Sequence, residues 1–103
     1  MYQDGQAQGI LDQLTPLQKD ILTLVALPQI LEWSERWLST SRRQDAVAGG
    51  LIRRGLLHEI TDCPGEYEAT ELGLKTAILA FQEDGAFDDD LHEAAIAWLA
   101  DIN

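Results

Sequence analysis

The chain has 103 residues, 46% of them hydrophobic, which is enough for one folded domain and excludes a disordered chain. Its formal net charge of −11, from 18 acidic and 7 basic residues, repels nucleic acid at long range. No apolar run approaches the roughly 20 residues that a membrane span needs, and a single cysteine, Cys63, excludes an internal disulfide and fits a reducing cytosol.

The first nine residues have little to bury. Their opening stretch, MYQDGQAQG, has neither the basic start nor the apolar block of a signal peptide, and it is rich in Gly and Gln. We therefore predict a flexible tail over residues 1–14 and a cytoplasmic protein.

Two helices are predicted next. Thr15 and Pro16 are a favourable N-cap and first helical residue, so a helix should run from there to about residue 27, where Pro28 ends or interrupts it. A second helix over about residues 29–38 would have a wide apolar face. That face consists of Ile30, Trp33, Trp37 and Leu38. The tryptophans fit core packing, with stacking on a base as the alternative.

A third helix is predicted over residues 42–54. Ser41 and Gln44 form a capping-box pattern at its start, and Gly55 suits a left-handed C-cap. At 100° per residue, one face must be buried. It holds Gln44, Val47, Ala48, Leu51 and Gly55. The opposite stripe holds Arg42, Ala46, Gly49 and Arg53, with Arg43, Gly50 and Arg54 along one flank. Adjacent glycines weaken a helix, which favours close approach of a partner to the backbone, although mere tolerance stays open.

The rest of the chain reads as hairpin, helix, loop and helix. Residues 56–61 and 66–69 alternate like strands around turn residues 62–65, and Thr70 opens a fourth helix. An acidic loop is predicted over residues 82–90 and a last helix over about residues 91–101. An apolar stripe on this last helix either packs on the chain's own first helix or forms a dimer seam. The stripe consists of Leu91, Ala95, Trp98 and Ile102.

Three short segments carry a family resemblance. Residues 38–42 (LSTSR) resemble the turn before a recognition helix, residues 51–57 (LIRRGLL) the junction into a wing, and residues 65–73 (GEYEATELG) the wing's second strand running into a helix. In this order they resemble winged helix-turn-helix domains, including PadR-like and MarR-like transcriptional regulators, over residues 15–81. The resemblance implies a mainly α fold with a small two-stranded hairpin wing, and residues 82–103 as a loop and helix for dimerisation.

Five of the seven basic residues fall within residues 36–54. Arginine suits phosphate, guanine edges and carboxylates, so the resemblance and this clustering predict a small homodimeric regulator that binds double-stranded DNA. The residues expected to contact DNA or another partner are Arg36, Thr40, Ser41, Arg42, Arg43, Gly49, Arg53 and Arg54.

The predicted wing points to an alternative. It has no Lys or Arg, whereas wings that bind DNA usually carry one. The chain could instead be an acidic interaction module or inhibitor, such as a phage counter-defence or DNA-mimic protein, that binds a protein surface. Plain solvation, adaptation to high salt and nucleic-acid mimicry all remain explanations for its acidity.

No catalytic motif is present, so we expect no enzyme, cofactor or metal. Three aspartates at residues 88–90 fit a helix N-terminus better than a cation site, and His58 and His92 are isolated. Cys63 has no cation beside it in the sequence that would lower its pKa.

Overall fold

The computed structural model describes residues 3–63, 65–85 and 88–102. Five helices and a two-stranded antiparallel sheet make up this part of the chain. In order they are α1 (Gly5–Gln13), α2 (Pro16–Ile30), α3 (Arg42–Arg53), β1 (Leu57–Glu59), β2 (Tyr67–Ala69), α4 (Glu71–Asp84) and α5 (Asp89–Ile102). The predicted fold class is confirmed: the protein is mainly α with a hairpin, in a winged-helix-like arrangement.

The prediction of a flexible tail is wrong for residues 5–13, which form α1. The carboxylate of Asp4 caps this helix by accepting hydrogen bonds from the N–H groups of Gln6 and Ala7. Ala7 and Leu11 are fully buried where α1 packs on α4. These buried side chains and the cap hold α1 against the apolar surface of α4.

Helix α2 begins as predicted, with a complete capping box between Thr15 and Gln18. It does not end at Pro28, which is buried inside the helix. A proline removes only one backbone hydrogen bond, and this one lies in the last turn, where tertiary contacts can offset the loss. The next side chain, Gln29, supplies such a contact. Its amide accepts from the N–H of Ala69 at 2.6 Å and donates to the carbonyl of Ala69 at 3.3 Å.

The predicted second helix over residues 29–38 is wrong. After α2 the backbone turns at Glu32, which adopts a left-handed conformation with φ of 57°. The N–H of Trp33 then donates to the carbonyl of Pro28 at 2.9 Å, the long bond of a Schellman helix end. Residues 31–41 are non-helical, and Leu38 instead forms an antiparallel bridge with Glu66 beside the hairpin.

Helix α3 is confirmed. The hydroxyl of Ser41 accepts from the N–H of Gln44 at 3.2 Å, but the Gln44 side chain reaches back to Thr40 rather than to Ser41. At the other end, Gly55 has φ of 78°, and the N–H of Leu56 donates to the carbonyl of Leu51. The predicted left-handed glycine therefore ends this helix.

The wing is a short hairpin in which His58 pairs with Glu68 at the centre of the register. It is joined to the helices by Thr70, whose N–H donates to the carbonyl of Leu56 at 3.0 Å. The Thr70 hydroxyl donates to the carbonyl of Gly55 at 2.7 Å and accepts from the N–H of Gly73 at 3.0 Å. One side chain therefore caps α4 and holds the end of α3.

Helix α4 is the centre of the core. Its buried residues include Leu74, Ile78 and Leu79, whereas Leu72 is half-buried. The helix continues to Asp84, so the predicted acidic loop over residues 82–90 is too long. Residues 86 and 87 lie outside the described part of the chain. Helix α5 begins at Asp89, two residues earlier than predicted, and packs against α2.

Candidate nucleic-acid interface

The two predicted faces of α3 are confirmed in part: Gln44, Val47 and Gly49 are half-buried, and Gly55, which was predicted to be buried, is exposed. Ala48 and Leu51 are buried against the core, while Arg42, Ala46 and Arg53 are exposed on the other side. Arg43 and Arg54 on the flank are exposed as well. The helix thus presents guanidinium groups near both ends of its outer surface and small residues between them.

The N-terminal end of α3 concentrates polar groups. Thr40 and Ser41 precede the helix and hydrogen-bond with Gln44, and this fixes the backbone at the point where Arg42 and Arg43 begin. A capped helix start also carries the positive end of the helix dipole, which favours anions. The arrangement can therefore receive a phosphate or a carboxylate.

The five arginines of the cluster differ in their surroundings. Arg36 lies outside any helix, with its Nη1 3.6 Å from an Oε2 of Glu68 on the wing. Arg54 donates to the side chain of Gln13 at 3.3 Å, which ties the end of α3 to the end of α1. Within the described residues, Arg42, Arg43 and Arg53 have neither a hydrogen bond nor an ion pair. Three of the predicted binding arginines are therefore available on α3, and two are engaged inside the protein.

The wing beside this face is acidic. Glu59 and Asp62 are exposed on it, and Glu66 and Glu68 are half-exposed. The one imidazole on the hairpin, that of His58, has its Nε2 3.8 Å from Glu68. This places carboxylates where a DNA-binding wing would present cations.

A hydrogen bond joins the wing to α3. The Tyr67 hydroxyl donates to the Asp45 carboxylate at 2.9 Å. Hydrogen bonds from Ser39 and Tyr67 hold the pKa of Asp45 below its usual value. Burial, together with the neighbouring Asp45 carboxylate, raises the pKa of Tyr67 to about 12. Sequence patterning did not identify this pair because its members are 22 residues apart.

Cys63 lies at the turn of the wing. A hydrogen bond with Glu66 is the main cause of a raised pKa for its thiol, with burial and the Glu66 charge adding to it and Arg36 opposing it. A raised pKa keeps the sulfur protonated at neutral pH and therefore poorly nucleophilic.

The glycine pair of α3 is not required by packing inside the protein. A methyl group at Gly49 would meet only the guanidinium of Arg53, at 3.9 Å, and one at Gly50 would meet the Gln18 amide at 3.4 Å. Both are ordinary contacts. The described intramolecular contacts therefore do not explain why two residues that weaken a helix stand here.

The structure buries part of the predicted dimer seam inside the chain's own core. Leu91 and Ala95 are buried in the chain's own core, so these two residues pack internally. Trp98 is half-buried, and the side chain of Ile102 lies outside the described part. An exposed isoleucine, Ile96, lies on a different face of α5.

Comparison of the chain with protein-family models, with curated proteins and with solved structures finds no match. Across the described residues, no helix has both the length and the apolar character needed to cross a membrane.

Proposed function

We propose that this protein binds double-stranded DNA through α3, as a small transcriptional regulator of the winged-helix type. The observation that carries the proposal is the pair Arg42 and Arg43, both exposed and unpaired in the described structure, at the capped N-terminal end of that helix. This is the end of a recognition helix that enters the major groove in helix-turn-helix proteins.

The dimensions of α3 suit a groove. Arg42 and Arg53 are eleven residues apart, which at 1.5 Å per residue separates their backbones by about 16 Å along the axis. The major groove is about 12 Å wide, so long arginine side chains at the two ends can reach phosphates on both edges. Ala46 and Gly49 between them allow the helix backbone to come close to the bases.

The same surface limits sequence readout. Ala46 and Gly49 have no groups that can hydrogen-bond to base edges, so direct readout falls to the residues at the N-terminal end of α3. These residues are Thr40, Ser41, Arg42 and Arg43. We therefore expect modest specificity, supplemented by the shape and deformability of the DNA.

A fluorescence-anisotropy titration of labelled random duplex at low salt tests the proposal. Arg42→Ala should weaken binding several-fold, while Lys75→Ala should leave it nearly unchanged. Lys75 is the matched control because it carries the same charge on α4 and already pairs with Glu71 at 3.3 Å. Equal losses in the two variants would indicate that only net charge matters and would contradict a role for α3.

A second candidate function is favoured by the acidic wing and by the pairing of Arg36 with Glu68. In this case the arginine face, formed by Arg42, Arg43 and Arg53 on α3, binds an acidic protein surface. The protein is then an interaction module or inhibitor. Failure to bind duplex even at low salt, with a partner that depends on Arg42 and Arg43, would support it.

The proposed regulator would act in the cytoplasm, where its single cysteine stays reduced. We also propose a homodimer, since paired copies would reach two half-sites one helical turn apart. Leu91 and Ala95 are internal, so among the predicted seam residues whose side chains the structure describes, Trp98 is the one that stays partly exposed.

A further inference from the structure

A cleft lies between the C-terminal end of α2 and α5, and no arginine is among the described residues that line it. Its volume is about 160 Å³. Ile30, Ala94 and Ala97 give it apolar walls, and the indole of Trp98, half-buried, forms one side. The carboxyl-bearing residues Glu32 and Asp101, both exposed, also line the cleft, together with Gln29 and Leu31. Apolar walls with a few polar groups are typical of a small-molecule site.

The electrostatics of the cleft favour a cation. Helix α2 ends at Ile30 and α5 at Ile102, so the negative ends of two helix dipoles converge on the cleft with two carboxylates. Neither helix has a basic residue in its last turn, and no Lys or Arg is among the described residues that line the cleft. The described lining of the cleft thus supplies no cation to balance this negative potential.

Trp98 specifies the kind of cation. An indole attracts an ammonium group placed over its face, and it does so more strongly than the other aromatic side chains. A hydrated metal ion would gain nothing from the indole or from Ile30, whereas an organic ammonium ion with an apolar body would use both. A cavity of about 150 Å³ can hold a benzene-sized group, while drug-sized ligands need roughly 300–1,000 Å³.

We propose that this cleft binds a small organic ammonium ion, with the apolar body of the ligand against Ile30 and its charge close to the indole of Trp98 and to the carboxylates of Glu32 and Asp101. The cleft is linked to α3 by a short stretch of backbone. Glu32 is the left-handed residue at the end of α2, and residues 33–41 lead from it to the start of α3. Binding of the ion does not depend on whether α3 contacts DNA or protein.

Nuclear magnetic resonance of the three tryptophan indole N–H groups is the test, with benzylammonium as the probe and benzyl alcohol as its neutral counterpart. Benzylammonium should shift the Trp98 signal saturably and leave those of Trp33 and Trp37 nearly unchanged. Trp98→Phe assigns the signal. Benzyl alcohol should bind about tenfold more weakly, because it lacks the charge.

Charge-neutralising variants locate the ion. Glu32→Gln and Asp101→Asn should each weaken benzylammonium binding about two- to fivefold, while Asp20→Asn, an exposed carboxylate on α2 outside the cleft, should not. Glu32→Gly removes the same charge and keeps the left-handed backbone, so it distinguishes lost charge from altered folding. Absence of a Trp98 shift, equal affinity for benzyl alcohol, or unchanged binding in both cleft variants would each overturn the proposal.

Discussion

The Tyr67 hydroxyl donates a hydrogen bond to the Asp45 carboxylate at 2.9 Å, which joins the wing to the exposed helix across 22 residues of sequence. Tyr67 is 5% exposed, and its ring lies 6.4 Å from that of Trp37. The position of the wing relative to α3 is therefore set by a buried aromatic residue with a polar end.

Tyr67→Phe tests this connection. The ring keeps its packing while the hydrogen bond is lost, so we expect the melting temperature to fall by a few degrees with no change in secondary structure. Trp37→Phe is the comparison, since it alters the ring contact and leaves the hydrogen bond. An unchanged melting temperature for Tyr67→Phe would show that the wing is held by packing alone.

The same pair predicts how stability depends on pH. The pKa of Tyr67 is raised in the folded protein to about 12, whereas a tyrosine in the unfolded chain has a pKa of about 10. The neutral Tyr67 side chain therefore stabilises the fold fully below about pH 10, and this stabilisation is lost as pH rises from about 10 to about 12. The lowered pKa of Asp45 has the opposite effect. Its ionised carboxylate stabilises the fold above about pH 3.9, and this stabilisation is lost as the pH falls further. Denaturant titrations across pH should show both losses, and Tyr67→Phe should remove the alkaline one.

Gly73→Ala should be severely destabilising. A methyl group there would overlap the backbone of Leu56, with the carbonyl carbon only 2.9 Å away, and the hydrogen bonds of Thr70 to Leu56 and Gly55 oppose a shift that would relieve the overlap. Overpacking of this kind costs about 1–3 kcal/mol or more. Chemical denaturation measures the change in the free energy of unfolding. A neutral substitution would mean that α4 and Leu56 are not in close contact.

Gly49→Ala is the opposite case. The site has room, so alanine should raise the free energy of unfolding by about 0.5–1 kcal/mol through helix propensity. If α3 enters a groove as proposed, the same methyl group should weaken duplex binding several-fold. A variant that is more stable and binds equally well would show that nothing approaches the backbone closely at Gly49.

Helix ends that are formed by neighbouring residues could be predicted from the local sequence. Thr15, Ser41 and Thr70 each cap a helix, and Gly55 ends one in the left-handed conformation. The prediction failed where an unexpected helix end or a contact between distant parts of the chain decides the outcome. Trp33 and Trp37 have helical spacing, but the chain leaves α2 at Glu32 and Leu38 pairs with Glu66 instead.

The candidate site was predictable only as a set of positions on one helix. Periodicity placed Arg42 and Arg53 on the exposed face of α3. It could not show that Arg36 would meet Glu68, or that Arg54 would reach Gln13, because both contacts join distant parts of the chain.

Reversing the wing's charge should strengthen DNA binding. Changing Glu66 and Glu68 to lysine removes carboxylates beside the arginine face and frees Arg36 from its ion pair. The matched control changes Glu83 and Glu93, on α4 and α5, to lysine and gives the same net charge elsewhere. Anisotropy with random duplex should show a larger gain for the wing variant, because salt at about 0.15 M limits electrostatic effects to roughly 8 Å. Equal gains would remove any specific role for the wing.

The salt dependence of duplex binding tests the central claim most directly. Three available arginines on α3 should give a slope of log K against log salt of about −2.7 per protomer, doubled in a dimer. Replacing Arg42 and Arg43 together by alanine should reduce it to about −0.9 per protomer, with little change in melting temperature. If the native protein binds no duplex at low salt, or the double variant keeps the native slope, α3 is not a DNA-binding helix and its arginines serve a protein partner.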